Sequence, residues 1–453
     1  MKNIEKYLRY FRTGRLNRKV MRIAIPSSLG MMSQTAVMIS DTAMVGSLGV
    51  SQQAATGLGG MIIWTIMAFL MGGSTGVQII VSRRVGEKNI TSAGQTLVTA
   101  LLFFFILGIS ISLIGIAASL PMAQFFAVRS EIISLAYPFL QIRFAGVLFY
   151  LINYGFMGFF NATGKTRIAM FSSLGVALSN IILNWIFIFG NLGLPAYGVM
   201  GAAIASSIAG LVGVIIFIGF IFQKQFRKYF VWRELKLRKI ILMDLLRLSF
   251  APSLEGFLIH LSFLVFYKLA AGISTVSVAA TNIVVTIMSI SFMPGYGFGI
   301  AALTMLGQGM GAKKYKLARF SVYRSANYAA VFMGVTGLIF ILFRRPMISL
   351  FTNDINVIEE AMGALVIVSL VQVGDAYQMV MSSALRGAGY VYWVLRVNGV
   401  VSFFIMIPLA YYLGIFLALG TTGLWGSVFV WFIILGLVFR YKFVKGNWVE
   451  GKV

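Results

Sequence analysis

Long apolar runs follow one another from about residue 23 to residue 443, separated by short polar interruptions. Each run has about 20 or more mostly apolar residues, enough for a helix to cross a hydrocarbon core about 30 Å thick. The pattern predicts twelve membrane helices over 23–49, 53–81, 92–118, 132–156, 166–190, 198–222, 242–271, 276–306, 318–343, 358–385, 390–414 and 421–443. Two interruptions match. SRRVGEKN at 82–89 separates the second and third runs, and GQGMGAKK at 307–314, 225 positions later, separates the eighth and ninth.

The same offset holds along most of each half. Ala54, Ala55 and Thr56 fall on Ala279, Ala280 and Thr281; Gly72 falls on Gly297, Gly86 on Gly311, Pro121 on Pro346, Gly164 on Gly389, and Gly198 and Gly201 on Gly423 and Gly426. Glycine and proline mark backbone geometry, so their coincidence in one register predicts two halves of one fold. Six helices per half is an even number, which makes the halves parallel repeats. The expected organisation is a basic amino-terminal segment (1–22), a first lobe (23–222), a basic linker (223–247), a second lobe (248–443) and a tail (444–453). The fold class is an all-α polytopic membrane protein of two six-helix lobes.

Composition agrees, with 59% apolar and 11% charged residues over 453 positions. A net charge of +25 would suggest nucleic acid in a soluble protein. Its placement gives another reason. With the amino terminus inside, alternate segments hold 32 of the 37 Lys and Arg residues, and the opposite side holds Arg129, Lys268, Arg344 and Arg345. The positive-inside rule predicts that skew for a multi-pass protein of the cell membrane with both termini cytoplasmic, so no nucleic-acid partner is expected. Arg143 falls deep inside the fourth run and is assigned to neither side. The absence of cysteine excludes disulfides and thiol chemistry. The first 22 residues lack a secretory h-region; either Ile4, Tyr7, Leu8 and Phe11 form the apolar side of a helix on the inner leaflet, or the segment is a basic tail.

Two parallel lobes are an architecture of secondary transporters, whereas no nucleotide-binding or channel-filter motif is present and no enzyme is expected. Partners are then the bilayer and a small organic substrate, with the chain working as a monomer. The acids indicate coupling, because a carboxylate in hydrocarbon is costly. Nine of the twelve lie in tails, loops or span edges; Asp41, Glu255 and Asp375 lie deep. At offset 225 they correspond to Phe266, Gly30 and Tyr150, so none is duplicated. They either lock helices together or bind Na⁺ or H⁺ as a transported coupling ion. No cofactor is called for. Asp41 lies 11 residues further along its helix than the Glu255 equivalent, roughly 16 Å, so all three do not share one compact site. Glu255 and Asp375 can form one, with Na⁺ as the candidate metal; Asp41 would belong to another, with Asn180 and Asn184 on one helix face. His260, five residues after Glu255, is a packing residue or a proton relay. Tyr150, Tyr296, Phe292, Met293 and Gln378 are candidate cavity residues for cationic compounds.

Several motifs together carry a resemblance. They are DTAMVGSLG at 41–49, AATGLGG at 54–60, AGQTL at 93–97, NIILNWIFIFG at 180–190, FMPGYGFGIAALTMLGQGMGA at 292–312 and SSALRGAG at 382–389. Over about residues 20–443 the chain resembles the multidrug and toxic compound extrusion (MATE) transporters. The resemblance implies a V-shaped pair of lobes exchanging inward cations for outward organic substrates. It matches Asp41 to the family's first-helix acid, Asn180 to its fifth-helix Asn, and Glu255 and Asp375 to the second-lobe acids of the NorM-like branch. Asn184 departs from the DinF-like branch, which has Asp there. A flippase-like carrier of a lipid-linked or sugar precursor is the alternative, but it would be expected to line its cavity with several Arg or Lys.

Overall fold

Charged and glycine-containing turns punctuate the apolar runs, and the helices end where those turns require it. In the computed structural model, residues 14–127, 129–229, 238–446 and 448 are described. Ile4, Tyr7, Leu8 and Phe11 lie outside them, and so does part of the basic linker. Among the described residues there are twelve long helices and no strand: α1 (Arg15–Gly46), α2 (Val50–Gly86), α3 (Ile90–Phe126), α4 (Ser130–Ala162), α5 (Thr166–Phe189), α6 (Val199–Ile221), α7 (Lys239–Ile273), α8 (Thr275–Gly311), α9 (Tyr315–Leu342), α10 (Ile355–Gly387), α11 (Val391–Phe416) and α12 (Gly420–Lys445). Eleven are long and apolar enough to cross a membrane; α1, interrupted by Ser27, Ser28, Ser33, Gln34 and Ser40, is more polar. Many large apolar side chains along these helices face outward, including Ile106, Leu113, Ile114, Leu178, Ile182, Leu338 and Leu342. In water that surface would be unstable, but against lipid it is solvated.

The repeat is visible in the backbone. Lys88 and Lys313 both take positive φ (63° and 54°), as do Gly164 and Gly389 (73° and 93°). In each case the amide that follows closes the turn on a carbonyl five residues back: Asn89 on Arg84 (2.9 Å), Lys314 on Gly309 (2.8 Å), Lys165 on Phe160 (2.9 Å) and Tyr390 on Leu385 (3.0 Å). These four bonds satisfy carbonyls that a helix end leaves open, and the left-handed residue makes them reachable. SRRVGEKN and GQGMGAKK are therefore one turn built twice.

The described residues fall into two compact units. One holds Leu29–Ser253, and the other holds the chain through Ser28 together with the residues from Leu254 on. These limits lie within helices, α1 at Ser28 and α7 at Ser253, and not at the basic linker where the sequence places them. Close packing explains each cut. A Cβ on Gly297 of α8 would meet the hydroxyl and amide of Ser28 and the carbonyl of Ala24; a Cβ on Gly72 of α2 would meet the hydroxyl and amide of Ser253 and the carbonyl of Ser249. The Ser28 hydroxyl also donates to the Pro294 carbonyl (2.6 Å). Leu16, Val20, Ile23 and Ala24 share one face of α1 and join the core formed by α7 to α12. In the other unit, Val45, Phe139, Ile188, Val199, Ala202 and Ala203 form a smaller core.

Candidate functional site

The deep acids occupy different surroundings. Asp41 is on α1, and α5 presents Asn180 and Asn184 to it because their spacing of four puts both on one face. Asn184 Nδ2 donates to Asp41 Oδ1 and to Asn180 Oδ1 (3.1 Å), and Asn180 Nδ2 donates to Ser206 Oγ on α6 (3.2 Å). Both asparagines are enclosed, at 1% and 0% exposure. Ser206 extends the chain, since its carbonyl accepts the Tyr150 hydroxyl of α4 (3.1 Å). The Arg143 guanidinium lies over the Tyr150 ring, 5.7 Å from its centroid. A connected polar network thus runs through one lobe from an acid to a cation.

Glu255 is held quite differently. On α7 and 3% exposed, it accepts from Arg386 Nη2 at Oε1 (2.6 Å), from Arg386 Nε at Oε2 (3.1 Å), and from Asn398 Nδ2 at Oε1 (2.5 Å). Arg386 comes from the last turn of α10 and Asn398 from α11, so three helices meet at one carboxylate. Asn398 lies one turn before a π-helical segment, Ser402–Met406, where Trp431 Nε1 of α12 donates to Ser402 Oγ (3.0 Å). The paired arginine is a correction to the sequence reading, which placed Arg386 among the loop cations and left Arg143 as the one deep basic residue; its side chain is only 13% exposed and turns inward.

Asp375, on α10, is 0% exposed, and neither of its carboxylate oxygens has a hydrogen-bond partner among the described residues. One turn away, Gln372 accepts the Ser291 hydroxyl (2.7 Å) and its Nε2 has no described partner. Asp375 and Arg386 are 11 residues apart on α10, about 16 Å of helix rise, so the pair that holds Glu255 forms well away from Asp375 along that helix. Among the described residues no three His, Cys, Asp or Glu side chains gather as a metal cluster. A cation at Asp375 would draw on the carboxylate and on neutral oxygens such as those of Gln372 and Ser291.

The remaining candidates are dispersed. Tyr296 of α8 lies near enough for its hydroxyl to act electrostatically on Arg386, and its ring is 6.4 Å from that of Phe292. Met293 is partly exposed beside them, Gln378 is 9% exposed on α10, and His260 is half-buried on α7. Arg386, Asn398 and Ser206 were not singled out by sequence. SSALRGAG did contain Arg386, but nothing local marks its partner 131 residues away.

A family model described as MatE matches residues 26–186 and matches again over 253–412, once in each repeat. The chain belongs to the MatE family. It is thus a multi-pass membrane protein of a transporter family. Relatives span nearly its full length. It is similar to a probable multidrug resistance protein NorM of Thermotoga maritima, 25% identical over 444 residues that cover 97% of this chain and 94% of that protein. It is also similar to the uncharacterized transporter YisQ of Bacillus subtilis, 24% identical over 91% of this chain and 90% of that one. Among solved structures, an outward-facing multidrug resistance MATE transporter of the MOP superfamily superimposes with a TM-score of 0.89 at 22% identity, covering 95% of this chain and 96% of that one. The MATE transporter VcmN of Vibrio cholerae, solved as a mutant, gives 0.89 at 22% identity, with 96% and 99% covered. These MatE-family structures share the all-helical fold described above.

Proposed function

We propose that this chain is an antiporter that exports organic, cationic compounds by alternating access and takes Na⁺ or H⁺ in exchange, in the cell membrane with both termini cytoplasmic. The observation that carries the reading is Asp375. A fully buried carboxylate whose oxygens have no described partner cannot hold a bare charge cheaply, so a bound proton or cation is what neutralises it. An acid that binds and releases such an ion as the protein cycles is the element an exchanger needs. Glu255 is less suited to that task because Arg386 and Asn398 already occupy it, so Asp375 and Asp41 are the coupling acids of the two lobes. The names of NorM relatives, probable multidrug resistance proteins, support organic compounds as cargo. Tyr150, Tyr296, Phe292 and Met293 would supply aromatic faces and adaptable apolar contact, and Gln378 a polar one.

Reconstitution tests this. Proteoliposomes holding the purified chain should accumulate ethidium when an H⁺ or a Na⁺ gradient is imposed separately, with one of the two effective. Absence of a response to either gradient contradicts ion-coupled exchange.

A further inference from the structure

We propose that the junction of α1 with the α8–α9 turn is a binding site for the phosphate headgroup of an anionic phospholipid, held by Lys19 and Lys314. The proposal uses the cytoplasmic placement of that turn from the reading above and is independent of cargo and coupling ion.

Both lysines belong to one compact unit, because the chain through Ser28 groups with the residues from Leu254 on. Lys19 Nζ donates to Gln308 Oε1 near the end of α8 (3.2 Å), and it lies close enough to Lys314 for that charge to act on it. Loss of surrounding water, and then the charge of Lys314, hold the Lys19 ammonium below its ordinary range. Two like charges brought together cost energy until an anion joins them. Among the described residues neither lysine forms an ion pair, and both keep exposed surface.

The first lobe builds the same turn with different charges. There Glu87 pairs with Arg84 (3.0 Å), and Asn89 Oδ1 accepts the Ser92 amide at the start of α3 (3.0 Å). At the offset of 225, Glu87 corresponds to Ala312, Asn89 to Lys314, and Lys19 itself to Asp244. Two acids and a neutral cap in the first lobe thus stand against an alanine and two lysines in the second. The backbone is common to both, as the positive φ of Lys88 and Lys313 shows, so the fold does not require the inversion. Nor does membrane orientation, which lysines anywhere in the segment would serve without repelling one another against a glutamine.

The surroundings favour a lipid over a free phosphate. Tyr315 and Phe320, in the first turns of α9, leave apolar surface exposed beside the lysines, at 36% and 46%. Lys19 itself precedes the first apolar run by four residues, at the level where headgroups lie. A headgroup on the two ammonium groups would lay its acyl chains along α9. Basic pockets on the cytoplasmic side of membrane helices take anionic headgroups in this way.

Native mass spectrometry of the purified full chain, titrated with phosphatidylglycerol or with phosphatidylcholine of the same acyl chains, reads the preference. The wild type is expected to hold the anionic lipid roughly tenfold more tightly. Lys19→Gln and Lys314→Gln should each reduce that ratio severalfold, and the double variant should bring it to about one. Ala312→Glu, which restores the acid of the first-lobe turn and removes no lysine, should do the same. Lys88→Gln combined with Lys165→Gln removes equal charge from the first lobe and should leave the ratio unchanged. A wild-type ratio near one overturns the proposal, and so does an equal loss in the first-lobe variant, which marks general charge attraction. Displacement of the lipid by millimolar inorganic phosphate also overturns it, since the lysines would then read a free anion. Because the chain has no cysteine, maleimide labelling of Lys316→Cys in intact and permeabilised cells checks the side separately. Labelling from outside sinks the cytoplasmic orientation and this inference with it, whereas labelling only after permeabilisation, with no lipid preference, sinks this inference alone.

Discussion

Arg386 grips Glu255 through both carboxylate oxygens, at 2.6 Å and 3.1 Å, from a helix 131 residues away in the chain. Such a pair inside a protein contributes little net stability, yet removing one partner leaves a buried charge uncompensated. Arg386→Met should therefore destabilise the protein by about 3–5 kcal/mol, and Glu255→Gln by a comparable amount. The double variant should recover most of that loss. Thermal unfolding of the four proteins in one detergent measures the cycle; simple additivity of the two single losses would show that the pair is not the stabilising unit.

Glu360 is the next polar junction. Its Oε1 accepts from Ser277 of α8 (2.7 Å) and Thr421 of α12 (2.6 Å), so one acid on α10 ties three helices at the end where α10 begins. In the first repeat the corresponding positions are Gln52, Leu135 and Ala196, and they line a cavity of about 390 Å³. Glu360→Ala should cost about 1–3 kcal/mol by stranding two hydroxyls. The readout is again the midpoint of thermal unfolding, and an unchanged midpoint would remove the junction from the stabilising contacts.

The crossings at Gly72 and Gly297 should be equally intolerant. An added methyl at either glycine meets serine hydroxyl and backbone atoms of the crossing helix, which cannot yield as a flexible side-chain tip would. Gly72→Ala and Gly297→Ala should each destabilise by about 1–3 kcal/mol through overpacking. Yield of monodisperse protein by size-exclusion chromatography, with the unfolding midpoint, reports this. A neutral result at one glycine and loss at the other would break the equivalence of the two crossings.

The helices, the repeat and the three deep acids were legible in the sequence because each leaves a local or periodic mark. An apolar run announces a helix, a positive-φ turn such as that at Gly164 recurs at Gly389, and an acid in an apolar run stands out. Partnership leaves no such mark. Arg386 lies at the end of its apolar run and counts as a loop cation until its side chain is seen to turn back toward Glu255, and Glu360 counts as a span edge until Ser277 and Thr421 are seen to reach it. The unit limits at Ser28 and Ser253 were hidden for a related reason. They follow from which helix packs against Gly72 and Gly297, while the sequence shows only the basic linker.

Asp375 carries the coupling claim, and it is tested most directly by comparing ethidium accumulation by proteoliposomes containing the wild-type chain and Asp375→Asn under whichever ion gradient drives the wild type. Asparagine keeps the shape of the side chain and removes the group that binds a proton or cation. The expected result is that the variant folds and binds ethidium but no longer accumulates it in response to the gradient. Gradient-driven accumulation by Asp375→Asn at the wild-type level would contradict the assignment of coupling to this acid.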